Sequence, residues 1–417
     1  VVLASPLIAL GILLRWIRGK GREGLRQRLV GARVPDAAGA PRLWVHACSV
    51  GEVAAAAAIV EELRRRREGL DVVLTVITAG GFEAGGRVRV FDHVCYAPLD
   101  LPFLVRGFVR RLAPDVFVDI ETELWPIMLH QARRLGVPML LLHGRISDRS
   151  IAGYRRVRLG TRWMLRHFDR IMAQSRRDAD RLVELGAAPD HVSVAGNAKY
   201  DGAPAALGGD EVLQLRQQLH LGTGPVWVAG STRQPEEERL VLEAFAAARR
   251  SVPDLVLVLA PRHVTRVPAV LAMARAGGID AATIGEHSAA PCRVVDTMGS
   301  LARLYAVGAV AFVGNSLVAP GGGQNLIEPL AQGVPVLVGP WTWEFRDASD
   351  VARDAGVAWQ VRDAAELAAH VTRFAAAPAD PEFRARALAL VAAQRGAAAR
   401  YAAAIDEALA AGARAAA

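Results

Sequence analysis

The chain has 417 residues, 52% of them hydrophobic and 22% charged, with a formal net charge of +8. That length exceeds what one core fills and predicts two or three domains, and the composition excludes a disordered chain. The positive balance points to an acidic partner, yet the arginines are strewn along helical stretches such as Arg64–Arg67, and no RNP, zinc-finger or helix-turn-helix signature argues for nucleic acid.

Val1–Leu14 is almost wholly apolar, and Arg15–Arg28 then carries six basic residues and one acidic. Fourteen helical residues span only ~20 Å against a hydrocarbon core of ~30 Å. The charges follow the apolar run, whereas a signal peptide places them before it. The expectation is an N-terminal apolar anchor helix, with Trp16 at the interface and the remaining chain on the cytoplasmic side by the positive-inside rule. Cys48, Cys95 and Cys292 are far apart and form no C-x-x-C, which suits a reducing compartment and not a structural zinc site.

Beyond the anchor, apolar runs without polar alternation mark strands covered on both faces. Leu43–Cys48, Val72–Ile77, Asp115–Ile120, Met139–His143, Arg170–Ala173 and Val192–Ala195 form one set. Val226–Gly230, Leu255–Ala260, Arg293–Asp296, Ala309–Gly314 and Val334–Gly339 form another. Helical stretches separate them, so the pattern is βαβ repetition in two doubly wound sheets. Asp201–Asp210, rich in Gly, Pro and Ala, divides the sets. The expected organisation is an anchor and basic segment over 1–40 and two Rossmann-like domains over 41–205 and 206–417, the second including an Ala-rich helical tail from Pro381. Two such α/β domains facing across a cleft make the GT-B architecture, which glycosyltransferases share with nucleotide-sugar epimerases.

Ligands of such sheets bind beyond the carboxyl ends of the strands. After the first strand, Ser49–Glu52 reads SVGE, which is a capping box; Gly51 also permits close approach, and the strand end aims Glu52 toward a ligand. Capping and catalysis both remain open for it. After Asp115–Ile120 come Glu121 and Glu123, two carboxylates where helix initiation at Thr122 and Pro126 needs one at most. Lys199 lies in the GNAKYD stretch near the division between domains. In the second domain, Ser231 and Thr232 offer hydroxyls and backbone N–H groups for a phosphate, and Arg262 offers bidentate contact. Met298 and Gly299 follow a third strand. Gly321–Pro329 (GGGQNLIEP) follows a fourth, so Gly322 and Gly323 are expected to expose N–H groups to a phosphate, and Glu328 to accept the hydroxyls of a ribose.

Neither sheet opens with G-x-G-x-x-G, which excludes a dinucleotide reading. The sole D-x-D, Asp178–Asp180, falls in a helix where residues two apart diverge, and no histidines pair at ligand spacing, so no metal site is expected.

Taken in order, HACSVGE, ETELWP, RISDRS, AQSRRDADR, GNAKYD, GST, PRH, DTMG and GGGQNLIEP resemble the 3-deoxy-D-manno-octulosonic acid (Kdo) transferases over nearly the whole chain. The resemblance implies a GT-B, metal-independent, inverting enzyme without a cofactor. It implies transfer of Kdo from the donor CMP-Kdo to a lipid A precursor, a phosphorylated acylated disaccharide, in lipopolysaccharide inner-core assembly. It implies Glu52 as catalytic base, with Glu121 or Glu123 and Lys199 as further active-site residues in an acceptor-binding first domain. For the second domain it implies that Ser231, Thr232, Arg262, Met298, Gly299, Asn325 and Glu328 line the CMP site. Inner-membrane anionic lipids are the further partner expected of Arg15–Arg28, Arg106, Arg110, Arg111 and Tyr154–Arg158. The chain departs from the family pattern at Gln324 and Arg233, where the family has His, and at His143-Gly144, where it has Asn-Ala. A nucleotide-sugar epimerase and a non-catalytic lipid-binding protein are the alternatives.

Overall fold

The computed structural model describes residues 24–37, 39–377 and 380–416. It divides into two compact units: residues to Gly202 with Gln394–Ala417, and Ala203–Ala393. The anchor expected over Val1–Leu14 lies outside the described residues; among those described, no helix is long and apolar enough to cross a membrane.

The first unit holds seven parallel strands: β1 (Arg42–His46), β2 (Asp71–Val76), β3 (His93–Tyr96), β4 (Val116–Ile120), β5 (Met139–Gly144), β6 (Arg170–Ala173) and β7 (Val192–Val194). Their order is β3-β2-β1-β4-β5-β6-β7, so the direction of winding reverses between β1 and β4. Helices open on side-chain caps: the hydroxyls of Ser49, Thr78, Ser147 and Ser175 accept the N–H groups of Glu52, Gly81, Ser150 and Asp178. One core, with Val45, Val53, Ile59 and Leu74, lies on one face of the sheet; the other, with Trp44, Phe108, Phe117 and Leu141, lies opposite.

The C-terminal helix Ala397–Ala416 completes the first of these cores. Tyr401, Ile405 and Leu409 pack there with Val53, Ile59 and Leu63. The Tyr401 hydroxyl donates to Gly196 O (2.6 Å), and Asp201 accepts the N–H groups of Gly396 (2.5 Å) and Ala398 (2.9 Å). Assignment of the whole of 206–417 to the second domain is therefore corrected. Burial of the Ile405 and Leu409 side chains stabilises this return by ~1.5–3 kcal/mol each. A second correction concerns Arg28. It is not presented to lipid headgroups: it is buried, stacks on the Tyr96 ring and donates to Ile77 O.

The second unit repeats the design with β8 (Val226–Thr232), β9 (Val256–Pro261), β10 (Ala281–Thr283), β11 (Cys292–Val294), β12 (Val310–Val313), β13 (Val336–Val338) and β14 (Ala358–Gln360). The order is β10-β11-β9-β8-β12-β13-β14, again parallel, and reverses between β8 and β12. Trp227, Phe245 and Phe312 fill the core on one face, and Val228, Tyr305 and Val334 fill the other.

Candidate active site

In the first unit the candidate residues gather at the reversal between β1 and β4, where an open parallel sheet leaves a crevice. Glu52 sits in the first turn of the helix Val50–Arg66, directly beyond β1, and is 8% exposed. Its Oε2 accepts the Cys48 N–H (2.6 Å) and its Oε1 accepts the Ser49 hydroxyl (2.6 Å). The Ser49 cap accepts the Glu52 N–H (3.4 Å), but the carboxylate takes the Cys48 N–H and not the Ser49 N–H that a full capping box would use, and each oxygen keeps a lone pair. Burial pushes the Glu52 carboxyl up to about 7; the charge of Glu121 adds to this, and the bonds from Ser49 and Cys48 oppose it. A carboxylate so poised is half ionised near neutral pH, as a general base should be.

Glu121 and Glu123 part company. Glu121 is held in a left-handed conformation (φ 72°) that a side chain seldom adopts, so its carboxylate turns toward β5. Its Oε1 accepts Lys199 Nζ at 3.1 Å, and Arg145 Nη1 lies 3.8 Å from Oε2. Burial alone would raise its pKa; Lys199, with His143 and Arg145, outweighs that and holds it well below the usual carboxylate range. Glu121 is thereby a fixed anion paired with Lys199. Glu123 instead lies beside Glu52: the Cys48 Sγ and a carboxylate oxygen of each glutamate fall within 4.8 Å of one another. Trp125 Nε1 donates to Glu123 Oε2 at 3.3 Å, and the Cys48 thiol is hydrogen-bonded to the same carboxylate.

His143, also at positive φ (58°) and fully buried, joins this site to β6 and β7. Gln174 Nε2 donates to His143 O (3.1 Å) and lies 3.0 Å from the ring Nδ1. His143 Nε2 lies 2.9 Å from Asn197 Oδ1, which also accepts the Lys199 N–H (2.9 Å), and Nδ1 lies 3.5 Å from Glu121 Oε1. Asn197 and Gln174 escaped the sequence reading; Asn197 stands two residues before Lys199 in the same loop, which was the available signal. Below them Asp119 is fully buried, with neither carboxylate oxygen hydrogen-bonded. Burial, with Glu123 and Glu52 nearby, holds its pKa well above the ordinary value. All three cysteines are buried and free.

In the second unit the candidate loops follow neighbouring strands of the order β11-β9-β8-β12. Ser231 is at φ 60° and Thr232 is buried with its hydroxyl unpartnered. Arg262 N donates to Thr232 O at 2.7 Å, and its guanidinium makes no ion pair among the described residues. Asn325 Nδ2 donates to Glu328 Oε1 at 3.1 Å. Burial raises the Glu328 pKa, opposed by Asn325 and by the charge of Arg262. Thr232, Arg262, Asn325 and Glu328 thus form one neighbourhood. Met298, 61% exposed, and Gly299 stand beyond β11 without a bond to it. Exposed Arg233 and half-buried Gln324 flank the neighbourhood.

The glycine loop needs a correction. Gly322 N donates to Trp341 O (3.0 Å) and Gly323 N to Asn315 O (2.7 Å), so these N–H groups are not displayed to a ligand. The glycines serve close packing: a Cβ on Gly321 would meet the Trp341 Cβ at 2.3 Å, and all three have positive φ. The loop's anchor is Glu237, which sequence reading saw only as part of an acidic helix start. Fully buried, it accepts the N–H groups of Asn315 (2.7 Å), Ser316 (2.9 Å) and Leu317 (3.0 Å).

Two doubly wound parallel sheets of this kind, each with its polar loops at the winding reversal, define a GT-B-class protein. HepE of Anabaena, solved in complex with UDP, has this fold with a TM-score of 0.62 and 14% identity, over 89% of this chain and 100% of its own. The UDP-GlcNAc 2-epimerase of Neisseria meningitidis gives 0.59 and 13%, over 88% and 99%. Sequence narrows the class. The family model for 3-Deoxy-D-manno-octulosonic-acid transferase (kdotransferase) matches residues 23–202. The 3-deoxy-D-manno-octulosonic acid transferase of Bordetella pertussis is 36% identical over 86% of this chain and 86% of its own, and that of Haemophilus influenzae is 33% identical over 73% and 71%. The chain belongs to the Kdo transferase family and is a glycosyltransferase.

Proposed function

We propose that the protein moves Kdo from CMP-Kdo to a lipid A precursor (lipid IVA) by direct inverting displacement, without a metal. The observation that carries this reading is Glu52: a carboxylate at the β1–β4 reversal with its pKa pushed up to about 7, beside a Glu121 already neutralised by Lys199. Glu52 accepts the proton of a glucosamine hydroxyl as that oxygen bonds to the anomeric carbon, and the bond from that carbon to the CMP phosphate oxygen breaks. Arg262 and the Ser231–Thr232 turn hold the phosphate, Asn325 and Glu328 the ribose, and Met298 and Gly299 border the CMP site. Lys199 and Glu123 contact the acceptor. Metal independence rests on the family resemblance and on Asp178 and Asp180, which lie in one helix, Asp178 bonded to the Ser175 hydroxyl and the Ile146 N–H and Asp180 paired with Arg176.

The acceptor class is supported by the basic surface of the first unit. Arg106, Arg110, Arg111, Arg156 and Arg158 are exposed, as are Phe103 (71%) and Leu159 (85%); Arg155 is engaged by Glu184. Such a surface suits anionic headgroups at the cytoplasmic face of the inner membrane. Mass spectrometry of the product from CMP-Kdo and lipid IVA, run with a chelator present, tests the reading. An acceptor heavier by Kdo is expected; CMP release independent of acceptor would replace transfer by epimerase-like or hydrolytic chemistry.

A further inference from the structure

We propose that Cys48, Glu52 and Glu123, backed by Asp119, form a site for a thiophilic divalent cation of the zinc class, and that filling it withdraws Glu52 from catalysis. The inhibitory half rests on the reading of Glu52 as base; the binding half does not. Three carboxylates and a thiol meet at the ends of β1 and β4, and among the described residues no lysine or arginine pairs with Glu52, Glu123 or Asp119. Lys199 and Arg145 are both turned to Glu121. The ligand atoms of Cys48, Glu52 and Glu123 are mutually within 4.8 Å. A tetrahedral zinc with bonds of about 2.0–2.3 Å needs them about 3.5 Å apart, so the three side chains would draw together on binding.

Asp119 is the independent observation. It is aligned with His46 in the β1–β4 register, and His46 Nε2 lies 3.4 Å from Cys48 Sγ, so Asp119 points up the same face of the sheet toward the cluster. Burial and the charges of Glu123 and Glu52 raise its pKa against the opposing Glu123 N–H, and no partner lies within hydrogen-bond distance of either oxygen. A buried carboxyl left without a partner is costly, and a cation in the cluster above would offset that cost and favour its ionised form. The thiol selects the ion: sulfur favours zinc or cadmium, whereas magnesium prefers oxygen ligands and retains its water. On binding, the Cys48 S–H proton passes to solvent as the sulfur–metal bond forms, and no group changes oxidation state. The remaining lone pair of Glu52 then goes to the metal and not to the acceptor hydroxyl.

The test uses the full chain freed of metal by a chelator. Titration with cadmium is expected to raise one thiolate-to-cadmium charge-transfer band per chain, absent in Cys48→Ser, with Cys95 and Cys292 silent. Zinc is expected to inhibit transfer reversibly, magnesium to leave it unchanged, and Cys48→Ser to turn over normally without metal while needing at least tenfold more zinc for inhibition. X-ray absorption at the zinc edge, on the unmodified protein, is expected to show one sulfur neighbour and needs no folded variant. A missing band, a band that survives in Cys48→Ser, or a zinc shell without sulfur overturns the site. Zinc bound with one sulfur that leaves transfer at its full rate overturns the inhibitory half, and with it the role of Glu52 as base.

Discussion

Glu52→Gln separates capping from catalysis, because the two roles predict opposite outcomes. The geometry admits Gln: its Oε1 can accept the Cys48 N–H, and its Nε2 can donate to Ser49 Oγ once that hydroxyl rotates. Folding should therefore survive. The carboxyl's pKa rises from 4.5 to about 7 in the folded protein, so the folded state retains a proton that the unfolded chain releases. The sign follows: stability is greatest below pH 4.5 and declines as pH rises through about 7, by about 3 kcal/mol at 1.36 kcal/mol per unit. Gln abolishes that titration. Melting curves of parent and variant should coincide near pH 4.5, and the variant should melt at or above the parent at pH 8. Turnover should fall on the order of 10²–10⁴-fold. In the parent, kcat/KM should drop about tenfold per pH unit below about 6 as the base protonates. A variant with parental turnover, or a parental kcat/KM flat across neutral pH, would return Glu52 to helix capping and leave Glu123 as the base.

Arg262→Ala and Glu328→Ala should each weaken CMP by roughly 1.5–3 kcal/mol as a charged hydrogen bond is lost, which calorimetry reads directly. Lys199→Ala should slow transfer and lower stability at pH 7 by about 1–3 kcal/mol, because Glu121 keeps its burial and loses its nearest cation. Since Glu121's folded pKa is depressed, that loss should be present above the ordinary carboxylate value and shrink as pH falls, which denaturation at pH 7 and pH 4 would show. Gly321→Ala should cost about 1–3 kcal/mol from its φ of 51° and the collision with Trp341, and should weaken CMP binding through the displaced loop.

The central strands were legible in the sequence because a strand covered on both faces must be apolar throughout. Three strands were missed, and all are edge strands: β3 borders the first sheet, and β10 and β14 the second. Ala281–Thr283 and Ala358–Gln360 are three residues each, too short to carry a period. The candidate carboxylates were legible from their place after strands. Their division of labour was not, since it depends on Lys199, 78 residues beyond Glu121 in the chain. The three glycines misled for a physical reason: the sequence shows that bare backbone is needed but not what approaches it. Here that is the Trp341–Glu344 segment as much as any ligand. The destination of the last helix was hidden too, because an alanine-rich face fits closely against many partners.

That last helix has a consequence for synthesis. During translation the first sheet emerges well before Tyr401, Ile405 and Leu409, which share its core with Val53 and Ile59. At ~5–20 residues per second, the ribosome needs roughly 10–40 s to add the roughly two hundred residues between them. Throughout that interval one face of the nascent sheet lacks the part of its cover that the last helix supplies, exposed to chaperones and to wrong partners. A chain truncated after Gly202 would make the interval permanent, whereas one that reattaches Gln394–Ala417 through a short linker should yield a soluble, foldable first unit.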